Sequence, residues 1–513
     1  MPDGTAMPTP RYAAPERDEA AGMSETGQAA RTKTTAQRAG LWGGLTAFAA
    51  IVLLPAPEGL SREGWTVVAL LVLMATWWVT EAIPIPVTSL LPLVVLPVFG
   101  VASIQEAADP YAHRVVILLL GGFIIAKSVE RWGLHERLAL LTVARAGPGP
   151  RALSAGFLVA SAMLSAWISN TATAIMLMPV ALSVAASLGA ERGRGDTLAV
   201  ALCLSVAYGA SIGGLATPVG TPTNLIVIGA LEGAGDTRLT FARWMMLGVP
   251  AVMLLLPAAW LVLTRLSGPL PAPEGDARGV VRERLDRLGP WSTPEVRTLL
   301  VFGLVAFFWV FRRAFIQDLE VAGVRPFAGL TDHVIAIAGA VLMFLVPAGS
   351  RREPGAMLLD WDTAVRIPWD VVLLFGGGLS LAAAITATGL GGWLGQAMSG
   401  VTALPAILIV LTLALFVIFA TELTSNVATA AALMPVVIAM AAAAGLDPAG
   451  LAVPVALTAS CAFMFPMATA PNAIAFASGE VTIPRMARVG VKLNLIGVAL
   501  ITLLASALTP LVL

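Results

Sequence analysis

Two short polar clusters interrupt otherwise apolar sequence: Ser169-Asn170-Thr171-Ala172-Thr173 and Thr424-Ser425-Asn426-Val427-Ala428-Thr429. Their asparagines, at positions 170 and 426, lie 256 residues apart, and the same offset separates the Met-Pro-Val triplets Met178-Pro179-Val180 and Met434-Pro435-Val436 that follow. Hydroxyl and amide oxygens on short side chains are hard ligands and helix caps, suited to holding an ion without a fixed counter-charge. They supply no activated nucleophile with its base, so covalent catalysis is not indicated. A single such cluster in a membrane helix ordinarily joins helices, with each hydrogen bond contributing about 0.6 kcal/mol. Two copies in register across two apolar halves instead indicate an internal duplication with a paired binding site.

The surrounding sequence must span a bilayer. Of 513 residues, 58% are hydrophobic and 12% charged, mean hydropathy is +0.85, and many uncharged stretches reach the ~20 residues needed to cross the hydrocarbon core. Long continuous apolar runs exclude a β-barrel, whose strands alternate in polarity, so the expected class is an all-α polytopic membrane protein. A formal net charge of zero gives no reason to expect nucleic-acid binding. Cys203 and Cys461 sit in apolar runs without metal or disulfide spacing and read as small core residues. His113, His135 and His333 are too scattered to form a metal site.

Residues 1–38 are polar and without hydrophobic periodicity, which predicts a disordered tail. Arg31, Lys33 and Arg38 precede the first apolar run and put the N-terminus in the cytoplasm by the positive-inside rule. A second basic cluster, Lys127, Arg131, Arg137, Arg145 and Arg151, is assigned to the same side. A first transmembrane repeat is expected over 39–265, a hydrophilic linker over 266–297, and a second repeat over 298–513. The Trp77-Trp78 pair reads as an interfacial anchor or a scaffold contact.

Between Arg151 and Glu191 lie 39 uncharged positions, 152–190, with Asn170 and Thr171 near the middle. Two full helices joined by an outer loop would explain this run. So would a re-entrant hairpin over about 152–190 with its tip inside the membrane, and the short uncharged tip residues favour that arrangement. Residues 197–231 are also uncharged and carry Thr217-Pro218-Val219-Gly220-Thr221-Pro222-Thr223-Asn224, whose prolines and glycine break a helix. The second half answers with a hairpin around 404–446 and a broken helix over 448–479 containing Ala468-Thr469-Ala470-Pro471-Asn472; Leu120-Gly121-Gly122-Phe123 is answered by Phe375-Gly376-Gly377-Gly378. Internal repeats with discontinuous helices are the pattern of secondary transporters, whose sites lie between the repeats near the midplane.

These motifs, taken in order with Trp78-Val79-Thr80-Glu81-Ala82-Ile83-Pro84-Ile85-Pro86-Val87-Thr88-Ser89, resemble the divalent anion/sodium symporters, carriers of di- and tricarboxylates or sulfate, over nearly everything from residue 41 to 513. The resemblance implies an inverted-repeat homodimer in the cell membrane, with a static scaffold and an elevator-type transport domain. It further implies one Na⁺ site at Ser165, Ser169, Asn170 and the Gly220 backbone. A repeat-related site would use Thr421, Thr424, Asn426 and the Ala468 backbone. A small dianion would lie between the tips at Asn170, Thr171, Thr221, Ser425, Asn426 and Thr469.

Val427 replaces Thr171 in the second copy, removing one hydroxyl, and Ala470 stands where the family often has proline. No Arg or Lys falls in these motifs, so attraction for an anion must come from bound Na⁺ and helix N-termini. The expected function is Na⁺-coupled symport of C4-dicarboxylates such as succinate, malate or fumarate. The alternatives are sulfate transport, sodium-independent exchange on the same fold, a channel, or a proton-linked carrier using Glu422, an acid inside an apolar run; for Glu422 a helix-positioning role is the favoured reading.

Overall fold

A computed structural model describes residues 33–189, 196–236, 238–266, 270, 277–316, 319–320, 325–397 and 405–513. Most of the expected tail therefore lies outside the described residues. The first helix, Thr35–Leu53, already begins inside the tail's expected 1–38 boundary, because Thr34 and Gln37 form a capping box there. Nine helices among the described residues are long and apolar enough to cross a membrane.

Trp77 and Trp78 are buried: their indoles donate to the Leu41 carbonyl at 3.3 Å and the Ser89 hydroxyl at 3.2 Å. They are helix-to-helix contacts rather than exposed anchors. The paired Gly-Gly segments serve close approach. A Cβ on Gly121 would lie 2.7 Å from the Ala336 backbone, and one on Gly377 would lie 2.2 Å from the Ser89 carbonyl. Such small-residue contacts stand in for a hydrophobic driving force that lipid does not supply.

Each half then contains a helix pair followed by an interrupted helix. In the first, Pro150–Ser165 and Asn170–Ser187 are joined by a turn at 166–169, and Thr197–Gly213 is followed by a short 3₁₀ segment, a gap and Pro222–Gly233. In the second, Ala406–Leu423 and Asn426–Ala443 precede Pro448–Ala459 and Ala470–Ala477. The first pair packs tightly on its broken helix: Ser154 and Ser205 share a 2.8 Å hydroxyl bond, Ser161 donates to the Val206 carbonyl at 2.7 Å, and Gly213 abuts the Ala162 backbone. The two broken helices also touch each other, through Thr223 and Ser460 hydroxyls 2.6 Å apart and through the Tyr208 hydroxyl donating to the Phe463 carbonyl at 2.8 Å.

The expected linker 266–297 is not wholly irregular. It holds an amphipathic helix, Ala277–Leu288, whose Arg284 donates to Ser183 of the first helix pair at 3.2 Å, and the next apolar helix starts within it at Thr293. Cys203 and Cys461 are buried free thiols.

Candidate functional site

Each helix pair ends its first helix with a buried hydroxyl and opens its second with asparagine. Ser165 donates to the Asn170 Oδ1, and Thr421 donates to the Asn426 Oδ1 at 2.5 Å. The spacing of five residues is the same, and Ser165 and Thr421 are fully buried while both asparagines are half-buried. A hydroxyl oxygen behind an amide oxygen at a turn is a two-ligand start on a hard-cation site.

The gaps in the broken helices supply backbone oxygens to these tips. A Cβ on Gly214 would lie 2.9 Å from Asn170 Oδ1 and 3.2 Å from the Gly220 carbonyl, and one on Gly220 would lie 2.5 Å from the Gly214 carbonyl. Gly220 does not adopt a positive φ; it is required here by close approach, not by an unusual dihedral. Thr217 donates its hydroxyl to the Ala166 carbonyl and locks the first tip to its gap. Ser165, Asn170 and Gly220 thus come together around the Gly214–Gly220 contact.

In the second half Thr421 also lies 3.1 Å from the Ala459 carbonyl at the end of its broken helix. Thr424 is committed to its own hairpin, bonding the Ala420 carbonyl at 2.9 Å and the Thr429 hydroxyl. Ala468 sits buried in the gap, where only its backbone can serve.

Unwound backbone inside an apolar helical bundle needs partners for its polar groups, and the two gaps find them in a matched way. Asn224 Nδ2 donates to the carbonyls of Gly214 (2.9 Å) and Thr217 (2.8 Å), and Asn472 Nδ2 donates to those of Ala462 (3.0 Å) and Phe465 (3.1 Å). Both reach ten and seven residues back, so each amide staples the two sides of its gap together. The Trp244 indole donates to the Leu215 carbonyl at 3.0 Å. In the second gap, Glu422 accepts from the backbone N–H groups of Phe463 (2.7 Å), Met464 (2.9 Å) and Phe465 (3.0 Å) and from Asn494 Nδ2 (2.7 Å).

Four helices start here, at Asn170, Pro222, Asn426 and Ala470, with Ser169, Thr221, Ser425 and Thr469 at their N-cap positions. Thr469 caps Asn472, whereas Ser169, Thr221 and Ser425 make no side-chain cap bond. The hydroxyls of Ser169, Thr171 and Ser425 make no hydrogen bond among the described residues, and Thr221 touches only Thr223 at 3.4 Å. Helix N-termini carry partial positive charge and free N–H donors. The only charged residue in the tips and gaps is Glu422, whose carboxylate is already engaged.

Asn224 and Asn472 are stapling residues that the motifs contain but that ion or anion chemistry does not single out. Their identical place at the end of each motif was the available signal. Tyr208, Trp244 and Asn494 gave none, since each acts through a contact distant in sequence. A tight neighbour of the second gap gives a prediction. A Cβ on Gly490, in the last helix, would lie 2.2 Å from the Phe463 carbonyl. Gly490→Ala should therefore displace the gap and lower stability by about 1–3 kcal/mol, read as an earlier melting midpoint of the purified protein together with reduced uptake.

Paired tips and stapled helix gaps in a polytopic helical chain define a membrane transport protein rather than an enzyme. A family model described as the sodium:sulfate symporter transmembrane region matches residues 36–513, and the chain belongs to that family. It is 37% identical over 484 residues to the sodium-dependent dicarboxylate transporter SdcS of Staphylococcus saprophyticus, covering 92% of each chain. It is 36% identical over 489 residues to the SdcS of Staphylococcus aureus strain MRSA252, covering 94% of this chain and 92% of that protein. The fold is similar to the YdaH transporter of Alcanivorax borkumensis, with TM-score 0.55, 16% identity and coverage of 78% and 86%. It is likewise similar to MtrF of Neisseria gonorrhoeae, with TM-score 0.56, 15% identity and coverage of 94% and 97%.

Proposed function

We propose that this protein couples inward movement of Na⁺ to uptake of a small divalent anion, a C4-dicarboxylate such as succinate, malate or fumarate. The observation that carries this reading is the repeated pairing of hydroxyl and amide oxygens, Ser165 with Asn170 and Thr421 with Asn426, at helix starts that hold no basic residue. Sodium would take these oxygens with backbone carbonyls at Gly220 and Ala468. The dianion would lie between the tips, at the N-termini whose N-cap positions are Thr221, Ser425 and Thr469, beside Asn170, Thr171 and Asn426. With no Arg or Lys in the site, bound Na⁺ must offset much of the substrate's charge. That dependence couples the two fluxes.

The relatives that share most of this chain's length are named as sodium-dependent dicarboxylate transporters, which supports sodium and a dicarboxylate as the pair. In this reading the helix pairs are re-entrant hairpins of inverted repeats. They ride in a transport domain that moves as an elevator against a dimeric scaffold in the cell membrane, with the N-terminus cytoplasmic. Each net positive charge carried inward gains about 2.3 kcal/mol per 100 mV. Two Na⁺ with a dianion carry none, so a voltage-driven cycle needs a further cation.

The test is uptake of labelled succinate into liposomes bearing the purified protein, with an inward Na⁺ gradient or with choline, and with sulfate as competitor. Accumulation is expected only with Na⁺, with sulfate a weak competitor. Equal uptake in choline would indicate a sodium-independent exchanger, and full competition by sulfate would move the substrate to that anion.

A further inference from the structure

A polar cavity that no tip or gap residue lines lies at the end of the bundle that carries the basic cluster. Its volume is about 670 Å³, and it is walled by the turn at 131–133, the segment 288–295 and the loop 349–353. This is a size that holds a small organic ligand or a lipid headgroup. Two of its arginines are engaged. Arg131 pairs with Glu353 at 2.8 Å and with Asp360, and buried Arg137 pairs with Glu295 at 2.7 Å. The other two, Arg351 and Arg352, are exposed, and their guanidinium groups have no ion pair or hydrogen bond among the described residues. The Ser350 hydroxyl accepts from the backbone N–H groups of Arg352 and Glu353 at 3.2 Å each, which fixes the loop that carries both arginines.

We infer that this cavity binds the phosphodiester headgroup of an anionic phospholipid, held by Arg351 and Arg352 as the free cations of a pocket whose other charges are already paired. Guanidinium groups recognise phosphate oxygens in bidentate fashion. The cavity sits where Arg131 ends one apolar helix and Thr293 begins another, so it lies at headgroup level. Trp132 and Trp291 line it, as aromatic side chains do at membrane interfaces. The positive-inside rule places this arginine-rich end on the cytoplasmic leaflet, where basic pockets between helices bind anionic headgroups. The linker helix Ala277–Leu288 ends at the cavity wall and is bonded to the first helix pair through Arg284. A headgroup held here would therefore anchor the connection between the repeats to the membrane surface.

The test is native mass spectrometry of the full-length protein, counting retained phosphatidylglycerol against phosphatidylcholine of the same chains, with inorganic phosphate as a soluble competitor. The wild type should prefer phosphatidylglycerol. Arg351→Ala combined with Arg352→Ala should weaken that preference by about thirtyfold, as each basic residue near an anionic headgroup contributes about a factor of five. Arg351→Ala alone should give about the single factor of five. Arg145→Ala with Arg151→Ala removes the same charge from the same face outside the cavity and should leave the preference intact. An unchanged preference in the Arg351/Arg352 variant, or an equal loss in the Arg145/Arg151 control, would overturn the site. Displacement of the lipid by inorganic phosphate would overturn the lipid assignment.

Discussion

Replacing Asn170 or Asn426 with alanine is expected to raise the Na⁺ concentration needed for half-maximal uptake by roughly 10–100-fold, since a lost hydrogen bond or ligand oxygen to a charged group is worth about 1.5–3 kcal/mol. The effect should be the largest of any single tip substitution. Each asparagine both offers an amide oxygen and receives the buried hydroxyl of Ser165 or Thr421. Removing it takes from Ser165 its amide partner, leaves Thr421 with the Ala459 carbonyl alone, and leaves the site short of one hard ligand. Folding should survive, because each asparagine is the first residue of its helix, is only half-buried, and gives way to a good helix former. Sodium titrations of succinate uptake, with the melting midpoint as the folding control, provide the measurement. Wild-type sodium activation in both variants would remove the tips from the coupling mechanism.

Glu422→Leu should abolish uptake, and Glu422→Gln should lower it by on the order of tenfold. The carboxylate accepts three consecutive backbone N–H groups and one side-chain amide. Four donors suit an ionised acceptor with no proton of its own to place. Leucine would leave the N–H groups of Phe463, Met464 and Phe465 buried or half-buried without an acceptor. Glutamine keeps one oxygen and turns an NH₂ group toward a donor. Glu422 is therefore a positioning residue for the second gap, and the residual uptake of Glu422→Gln should retain its sodium dependence and an unchanged pH profile. A flattened pH profile, with sodium dependence lost, would instead identify Glu422 as a proton carrier.

The two repeats differ at this place. Residue 166, one repeat offset before Glu422, is alanine, and there the Ala166 carbonyl accepts the Thr217 hydroxyl. The first gap is thus held by a hydroxyl, an indole and an amide, and the second by a carboxylate, a phenol and two amides. Val427 in place of Thr171 adds a second asymmetry, so the anion would meet more hydroxyls on the first tip than on the second.

Much of the site was legible because the duplication repeats it. Ser165, Asn170, Thr421 and Asn426 keep their five-residue spacing, and only local turn geometry is needed to bring each hydroxyl to its amide. The prolines and glycine of 217–222 announced a helix break, since proline cannot donate and glycine marks close approach. The reason for Gly220 was not legible, because the atom it makes room for is the Gly214 carbonyl across the gap. Thr424, an ion ligand by its motif, bonds the Ala420 carbonyl and the Thr429 hydroxyl, contacts that hold its oxygen in place and leave it a lone pair for a cation.

The sequence by itself determined the bilayer as solvent, the two-repeat order, and the polar tips and helix breaks, because hydropathy, proline and polar patterning act over a few residues at a time. Only the tertiary structure decided what holds the breaks open. Tyr208 reaches Phe463, Asn494 reaches Glu422 and Trp244 reaches Leu215 across separations that no local pattern records. The physical reason is that backbone groups freed by a break inside an apolar bundle must find partners wherever packing brings a donor or acceptor. In this chain Asn224 and Asn472 supply some of those partners locally, and the others come from helices remote in sequence.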